Sequence, residues 1–205
     1  MARRLAIHPD NPQARLLNQA VEALRAGELW VYPTDSGYAF ACALGAKSAL
    51  ERVIRLRQLD ARHNFTLACR DLRQVAQYAR VDDRAFRLLK SHLPGPYTFI
   101  LPATAAVPKR VATERKRSIG VRIPDHRVAA ALIEANAEPI LSASLLIPDL
   151  DIHGLESEEL YEQIEAHIDG FLDCGPCPGD PTTVVSLLDN ALTVLRRGAG
   201  VVDWE

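Results

Sequence analysis

The fold class that the sequence predicts is α/β with a mixed sheet, and three observations predict it. Short apolar runs that read as strands alternate with segments whose apolar residues recur at helical spacing. Some of these runs follow one another through a turn, while others are separated by a helix, which mixes antiparallel with parallel pairing. A chain of 205 residues, 48% hydrophobic and 24% charged, suffices for one core, so residues 1–205 are read as a single domain.

Each element has its own signal. Asn11-Pro12, then Leu16, Leu17, Ala20, Val21 and Leu24, then Gly27, predict an amphipathic helix capped by Asn11, with proline at its first position and glycine as its stop. Leu29 to Tyr32 and Tyr38 to Ala43 predict two strands joined by the turn Pro33 to Gly37. A helix from Lys47 to Gln58 would bury Leu50, Val53 and Ile54, and Phe65 to Cys69 reads as a strand. Leu72 to Tyr78 and Arg84 to Leu93 read as helices, the second capped by Asp82 and Asp83. Tyr97 to Leu101 and Ser118 to Ile123 are strands on either side of a basic connection, Ala103 to Arg117. Helix Val128 to Ala135, strand Ile140 to Ser144, acidic helix Glu156 to His167 and strands Ile168 to Leu172, Thr183 to Leu187 and Leu192 to Arg196 follow. The polar stretch Pro148 to Ser157 is a surface loop.

A net charge of -2 conceals an uneven distribution. Residues 1–127 carry 22 Lys/Arg against 11 Asp/Glu, whereas residues 128–195 carry 13 Asp/Glu and no Lys or Arg. The first two thirds therefore present a positive surface that attracts phosphates or nucleic acid, although many of these arginines sit on solvated helix faces. No apolar run is long enough to span a bilayer, and His8-Pro9-Asp10-Asn11 interrupts the start before a signal-peptide core could form, so a cytoplasmic protein without membrane contact is expected. Four cysteines without regular spacing fit a reducing compartment.

Arginine suits phosphate because its planar fork donates two charge-assisted hydrogen bonds and keeps its charge. In the helix ending at Gln58, Arg55 and Arg57 diverge by about 200° at 100° per residue, so both share one cleft only if the helix stops there. Leu59 to Asn64 breaks the helical pattern, which would leave Arg57 on the last turn, facing a cleft at the sheet edge.

Seven segments in order carry a resemblance. They are Pro33-Thr34-Asp35-Ser36-Gly37-Tyr38, Arg55-Leu56-Arg57-Gln58-Leu59, Leu93-Pro94-Gly95-Pro96-Tyr97-Thr98, Gly120-Val121-Arg122-Ile123-Pro124, Leu141-Ser142-Ala143-Ser144-Leu145, Pro181-Thr182-Thr183-Val184 and Arg196-Arg197-Gly198. Together they make the chain resemble the YrdC/YciO family of threonylcarbamoyl-AMP synthase-like proteins along nearly its whole length. His63-Asn64-Phe65-Thr66-Leu67 after Arg57-Gln58-Leu59 looks more like the YciO branch. The resemblance implies a twisted mixed sheet with helices on its outer side and a concave basic cavity, as in the related fold of dihydroxybutanone-phosphate synthases. The acidic metal-binding motif of those enzymes is not found in this sequence.

The resemblance also implies a reaction. Threonine and bicarbonate form a carbamate that attacks the α-phosphate of ATP, and the threonylcarbamoyl-AMP product serves tRNA modification. By analogy Arg55 and Arg57 lie at the phosphates as the catalytic pair, and Arg122 lies on the amino-acid carboxylate. Thr34 and Ser36 lie near the amino acid or ATP, while Ser142, Ser144, Thr182 and Arg196 complete the nucleotide pocket. Mg2+ would arrive with ATP, with no metal site of the protein's own. The synthases carry lysine where Arg55 stands and asparagine where Ser144 stands, departures that imply weak or altered activity. The alternative is a non-catalytic binder of double-stranded RNA or tRNA using the same surface, to which Lys109-Arg110 and Arg115-Lys116-Arg117 would contribute as a basic arm.

Two signals stand outside this reading. Cys174-Gly175-Pro176-Cys177 has thioredoxin-type spacing, but Pro178 and Pro181 prevent a long helix after it. It reads as a loop, the alternatives being a disulfide or a zinc half-site in need of two further ligands. His63 either faces the cavity or is an ordinary loop histidine.

Overall fold

The computed structural model describes every residue except 61, 62, 64, 113–116, 149, 153, 178, 190 and 205. Asn64 and the Arg115-Lys116 part of the basic arm therefore lie outside the described residues. Among the described residues ten strands form one mixed sheet, flanked by six helices. In chain order these are β1 (Arg3–Ala6), α1 (Ala14–Arg25), β2 (Trp30–Thr34), β3 (Gly37–Ala43), α2 (Lys47–Leu56), β4 (Thr66–Ala68), α3 (Leu72–Tyr78), α4 (Asp83–His92) and β5 (Tyr97–Pro102). Then come β6 (Ser118–Arg122), α5 (Arg127–Asn136), β7 (Ile140–Ser144), α6 (Ser157–Ile164), β8 (Gly170–Asp173), β9 (Thr183–Ser186) and β10 (Thr193–Arg196).

Across the sheet the strands run β1-β8-β2-β3-β7-β4-β6-β5-β9-β10. The pairs β1–β8, β2–β8, β4–β6 and β5–β9 are parallel, and the other five are antiparallel. The mixed sheet expected from the sequence is thus present. Strand β1 was not expected, because Arg3-Arg4-Leu5-Ala6 shows no apolar alternation and only one residue of it is even half-buried; pairing with β8 alone makes it a strand.

Local chemistry explains most boundaries, including several that depart from expectation. Helix α1 starts at Ala14, and Asn11 does not cap it. The backbone N–H groups of Asp10 and Asn11 donate to His8 Nδ1 at 3.1 Å each, which holds this stretch in a turn. Gln13 takes the cap position, but its side chain accepts from the His8 N–H instead of a helical one. Helix α2 stops at Leu56 because Gln58 adopts a left-handed φ of 51°. The expected aspartate cap of α4 is Asp82, which accepts from the Ala85 N–H at 2.7 Å, while Asp83 sits in the first turn. Helix α3 has an equivalent cap in Asp71, bonded to the Gln74 N–H. Glu156 and Glu159 form a capping box that starts α6, and a 3-10 turn over Glu165–His167 ends it.

Strand alternation separates the sheet into two faces. Val31, Phe40, Leu67, Leu141, Val121, Phe99 and Val185 share one face, and α2, α3, α4 and α6 pack over it through Leu50, Val53, Val75, Leu89, Leu160 and Ile164. On the opposite face α1 and α5 cover β8, β2, β3 and the start of β7, with Leu24, Val128 and Leu132 against Trp30, Tyr32, Ala39, Ala41 and Leu172. The second cover ends at Ala68 and Ile140. Beyond it, the same face of β4, β6, β5 and β9 presents Thr66, Gly120, Arg122, Thr98 and Val184, with Thr182 just before β9. None of these joins either apolar cluster.

Candidate functional site

The uncovered stretch of sheet is where the sequence-predicted residues gather. Arg122 ends β6 and is 5% exposed, so its charge needs partners. It forms an ion pair with Asp35 and donates to Ser36 Oγ at 2.9 Å, both in the turn between β2 and β3. That turn is bound tightly: Thr34 Oγ1 donates to the Gly37 carbonyl at 2.6 Å and accepts from the Ser36 N–H at 3.2 Å. Gly37 supplies the positive φ of 93°. The pair is incompletely satisfied, since Asp35 Oδ2 and Arg122 Nε are buried without hydrogen-bond partners.

Two further arginines surround it. Arg57, at the end of α2, is half-buried, and its Nε is also buried without a partner. Arg196, at the end of β10, donates from Nε to the Thr182 carbonyl and from Nη2 to Thr182 Oγ1, each at 3.0 Å. Arg196 is exposed as a whole residue, while the guanidinium end bound to Thr182 is partly withdrawn from water. Burial, then repulsion from Arg196, lowers the pKa of Arg57; burial, then repulsion from Arg122, lowers that of Arg196. Arg57 and Arg196 thus sense one another, as do Arg196 and Arg122, and the carboxylate of Asp35 is ion-paired with Arg122.

Hydroxyls complete the surface. Thr98 and Thr182 bond through their Oγ1 atoms at 3.0 Å, and Tyr32 donates to Ser142 Oγ at 2.9 Å from below the α1–α5 cover. Ser144 lies two residues along β7 on the same face as Ser142 and is exposed. Gly120 lets β4 pack closely here: a Cβ would lie 2.7 Å from Thr66 Oγ1 and 3.0 Å from the Phe65 carbonyl. Gly198 is required where the chain turns back, because a Cβ would meet the Pro181 carbonyl at 2.1 Å. His63 is half-buried, and burial followed by the charge of Arg57 lowers its pKa.

The structure therefore brings Thr34, Ser36, Arg57, Arg122, Ser142, Thr182 and Arg196 to one side of the sheet. Arg55, in the last turn of α2, is exposed and takes no part in these contacts. The concave basic cavity is a separate matter: of the four prominent recesses, about 380 to 790 Å3, none includes Arg57, Arg122 or Arg196. The largest is lined by Arg3, Glu28, Arg52 and Asp169, where Arg52 and Asp169 pair at 2.5 Å. Asp35 and Thr98 were not singled out in the sequence; the signal available was strand alternation, which puts Thr98 on the face of Arg122. No helix among the described residues is long and apolar enough to cross a membrane.

The Cys174 to Cys177 loop lies near the same turn. Its sulfurs are 3.9 Å apart, and His126 Nε2 is 4.0 Å from that of Cys174. Hydrogen bonding from Cys177, followed by His126, outweighs burial and brings the Cys174 thiol down to about 5. The proton-sharing partner Cys177 is pushed up by its bond to Cys174 and by burial. Tyr38 is pushed up by burial and by the nearby sulfurs.

Comparison with known proteins places this geometry. The family model described as "Telomere recombination", Sua5_yciO_yrdC, matches residues 22–198. The uncharacterized protein YciO of Escherichia coli strain K12 is 48% identical over 98% of both chains. The crystal structure of E. coli YciO superimposes with a TM-score of 0.93, covering 99% of this chain and 98% of the other. A threonylcarbamoyl-AMP synthase of Vibrio vulnificus strain YJ016 is 28% identical, with 62% of this chain and 70% of the synthase aligned. Sua5 of P. abyssi complexed with L-threonine shares the fold at a TM-score of 0.82 and 24% identity, over 95% of this chain and 57% of that one. The chain belongs to the Sua5/YciO/YrdC family.

Proposed function

We propose that the chain binds ATP together with threonine and bicarbonate on the open half of the sheet and forms threonylcarbamoyl-AMP. The observation that carries this reading is the gathering of Arg57, Arg122 and Arg196 around one carboxylate, with two guanidinium Nε atoms buried and unpaired. Such a group has donors to spare for an anion that brings more than one negative charge. The relatives named threonylcarbamoyl-AMP synthase and the P. abyssi Sua5 complex with L-threonine support the choice of substrates.

The chemistry asks little of the protein beyond placement. The threonine amine and bicarbonate condense to a carbamate with loss of water. A carbamate oxygen then bonds to the α-phosphorus as the bond to the bridging α–β oxygen breaks, and pyrophosphate leaves. Charge grows on phosphate oxygens during that displacement, so fixed cations in line with it lower the barrier. Arg57 and Arg196 serve the phosphates, and Arg122 with Ser36 and Thr34 holds the amino-acid carboxylate. Ser142, Ser144 and Thr182 border the nucleotide, and Mg2+ enters on the triphosphate. Arg55 is exposed and makes none of the contacts within this group, so of the Arg55–Arg57 pair only Arg57 takes the phosphate role, beside Arg196. With serine at 144 and arginine at 55, turnover is slower than in the synthases.

The test is pyrophosphate release from ATP, threonine, bicarbonate and Mg2+, with the AMP adduct identified beside an Arg57→Ala variant. Release that requires threonine and collapses in the variant supports the reading; no threonine-dependent release ends it. A second reading, binding of double-stranded RNA or tRNA for its own sake, draws on the exposed Lys109, Arg110 and Arg117. It predicts RNA affinity that falls steeply with salt and no adduct.

A further inference from the structure

We propose that His126, Cys174 and Cys177 form a zinc site with three protein ligands and one open position. Their ligand atoms all lie within 4.8 Å of one another. In a tetrahedral site with Zn–S of about 2.3 Å and Zn–N of about 2.0 Å, neighbouring ligand atoms stand roughly 3.5 to 3.8 Å apart. The 3.9 Å between the sulfurs matches such an edge, the 4.0 Å from Cys174 Sγ to His126 Nε2 is about half an ångström longer, and the third edge lies within 4.8 Å, so the ligands close in slightly on the ion. A disulfide would instead need the sulfurs at about 2.05 Å. Two thiolates and a neutral imidazole balance the charge of one divalent ion, which suits a half-buried position.

The surroundings hold the ligands in place. Cys174 and Cys177 are joined by Gly175, whose φ of 89° reverses the chain, and Pro176. Asp173 accepts from the Gly175 N–H at 2.9 Å and is itself held by Arg4. The Tyr38 hydroxyl donates to the Gly175 carbonyl at 2.7 Å and accepts from the Cys174 N–H at 3.3 Å, with its ring stacked on Phe171. His126 comes from the other side, at the N-cap of α5. Its Nε2, 4.0 Å from Cys174 Sγ, is the ligand atom. Among the described residues no fourth histidine, cysteine or carboxylate joins the group, so the remaining position falls to water or a ligand donor. The site lies against Thr34, whose backbone hydrogen-bonds toward Cys177. The proposal does not depend on the nucleotide reading.

The test uses the 205-residue chain, stripped of metal by a chelator and reduced under anaerobic conditions, titrated with cobalt(II) alone. One equivalent should give the visible absorption of four-coordinate cobalt and a sulfur-to-cobalt charge-transfer band, both lost on adding one equivalent of zinc. Cys174→Ser and Cys177→Ser should each lose about half of the charge-transfer intensity expected for two thiolates, and the double variant all of it. His126→Gln should keep the band but require more cobalt to reach it. No charge-transfer band in the reduced protein overturns the proposal, and so does a band that survives in the double variant. Should the double variant fail to fold by circular dichroism, the unaltered chain still decides, because Cys42 and Cys69 are buried in the core at 1% and 0% exposure.

Discussion

The two faces of the central sheet solve different problems with the same strands. Phe99 and Thr98 are adjacent in β5, yet Phe99 sits in a continuous apolar layer under helices, while Thr98 bonds to Thr182 on a stretch that, among the described residues, no helix covers. The first face is closed by shape and hydrophobicity. On the second, α1 and α5 close only the half over β8, β2 and β3 and leave a polar half with Arg122, Thr182 and Arg196. The polar half keeps buried donors without partners, at Arg57 and Arg122, which is what the proposed anion binding rests on.

Substitutions on the two faces can break that contrast. Phe99→Ala should cost about 3–5 kcal/mol in urea denaturation, through lost burial and the cavity it leaves. A loss below about 1 kcal/mol, the scale of a small solvent-exposed change, would mean that this face is not the well-packed one. Arg57→Ala should lower threonine-dependent pyrophosphate release about 100-fold or more, as removal of one preorganised donor does elsewhere, while barely moving the urea midpoint. An equal fall in stability would make Arg57 a structural residue.

Smaller effects sharpen the picture. Asp35→Asn removes the carboxylate paired with Arg122, so ATP affinity by calorimetry should rise, by at least the roughly fivefold that the bulk-water scale of about 1 kcal/mol for a unit charge gives. The same variant should lose stability, since Arg122 keeps its burial and loses its counter-ion. Thr98→Val should cost about 1 kcal/mol, the worth of one hydrogen bond, against the larger loss at its neighbour Phe99.

The smallest effect is one of pH. His63 has a lowered pKa in the folded chain, so the unfolded chain binds the proton more readily. Its contribution is complete above pH 6.5 and is lost as pH falls through 6.5 toward the folded value. His63→Gln should flatten stability against pH in that range. Unchanged curves would place His63 in solvent, away from Arg57.

Much of this was determined by the sequence alone, because periodicity and capping are local. The strand and helix order, the end of α2 near Arg57 and the Asp82 cap follow from residues a few positions apart. The motifs also carried the family, and they named as candidates Thr34, Ser36, Arg122 and Thr182, which the fold brings to one side of the sheet. Local pattern failed where pairing partners are remote. Strand β1 exists only through β8, more than 160 positions later, and Asn11 lost its cap to the ring of His8.

Only the tertiary structure decided the rest. Helical geometry states that Arg55 and Arg57 diverge, but not which one turns inward; the left-handed backbone at Gln58 and the approach of Arg196 settle that in favour of Arg57. Asp35 meets Arg122 across 87 positions, although the strand register sets Arg122 level with Ala68, Ile140 and Ala43; no local pattern announces that contact. Likewise, a Cys-x-x-Cys loop acquires its third neighbour, His126, only when β8 and the start of α5 converge. Charge and residue type are written along the chain, but which charges share a desolvated space is a property of the register and the packing.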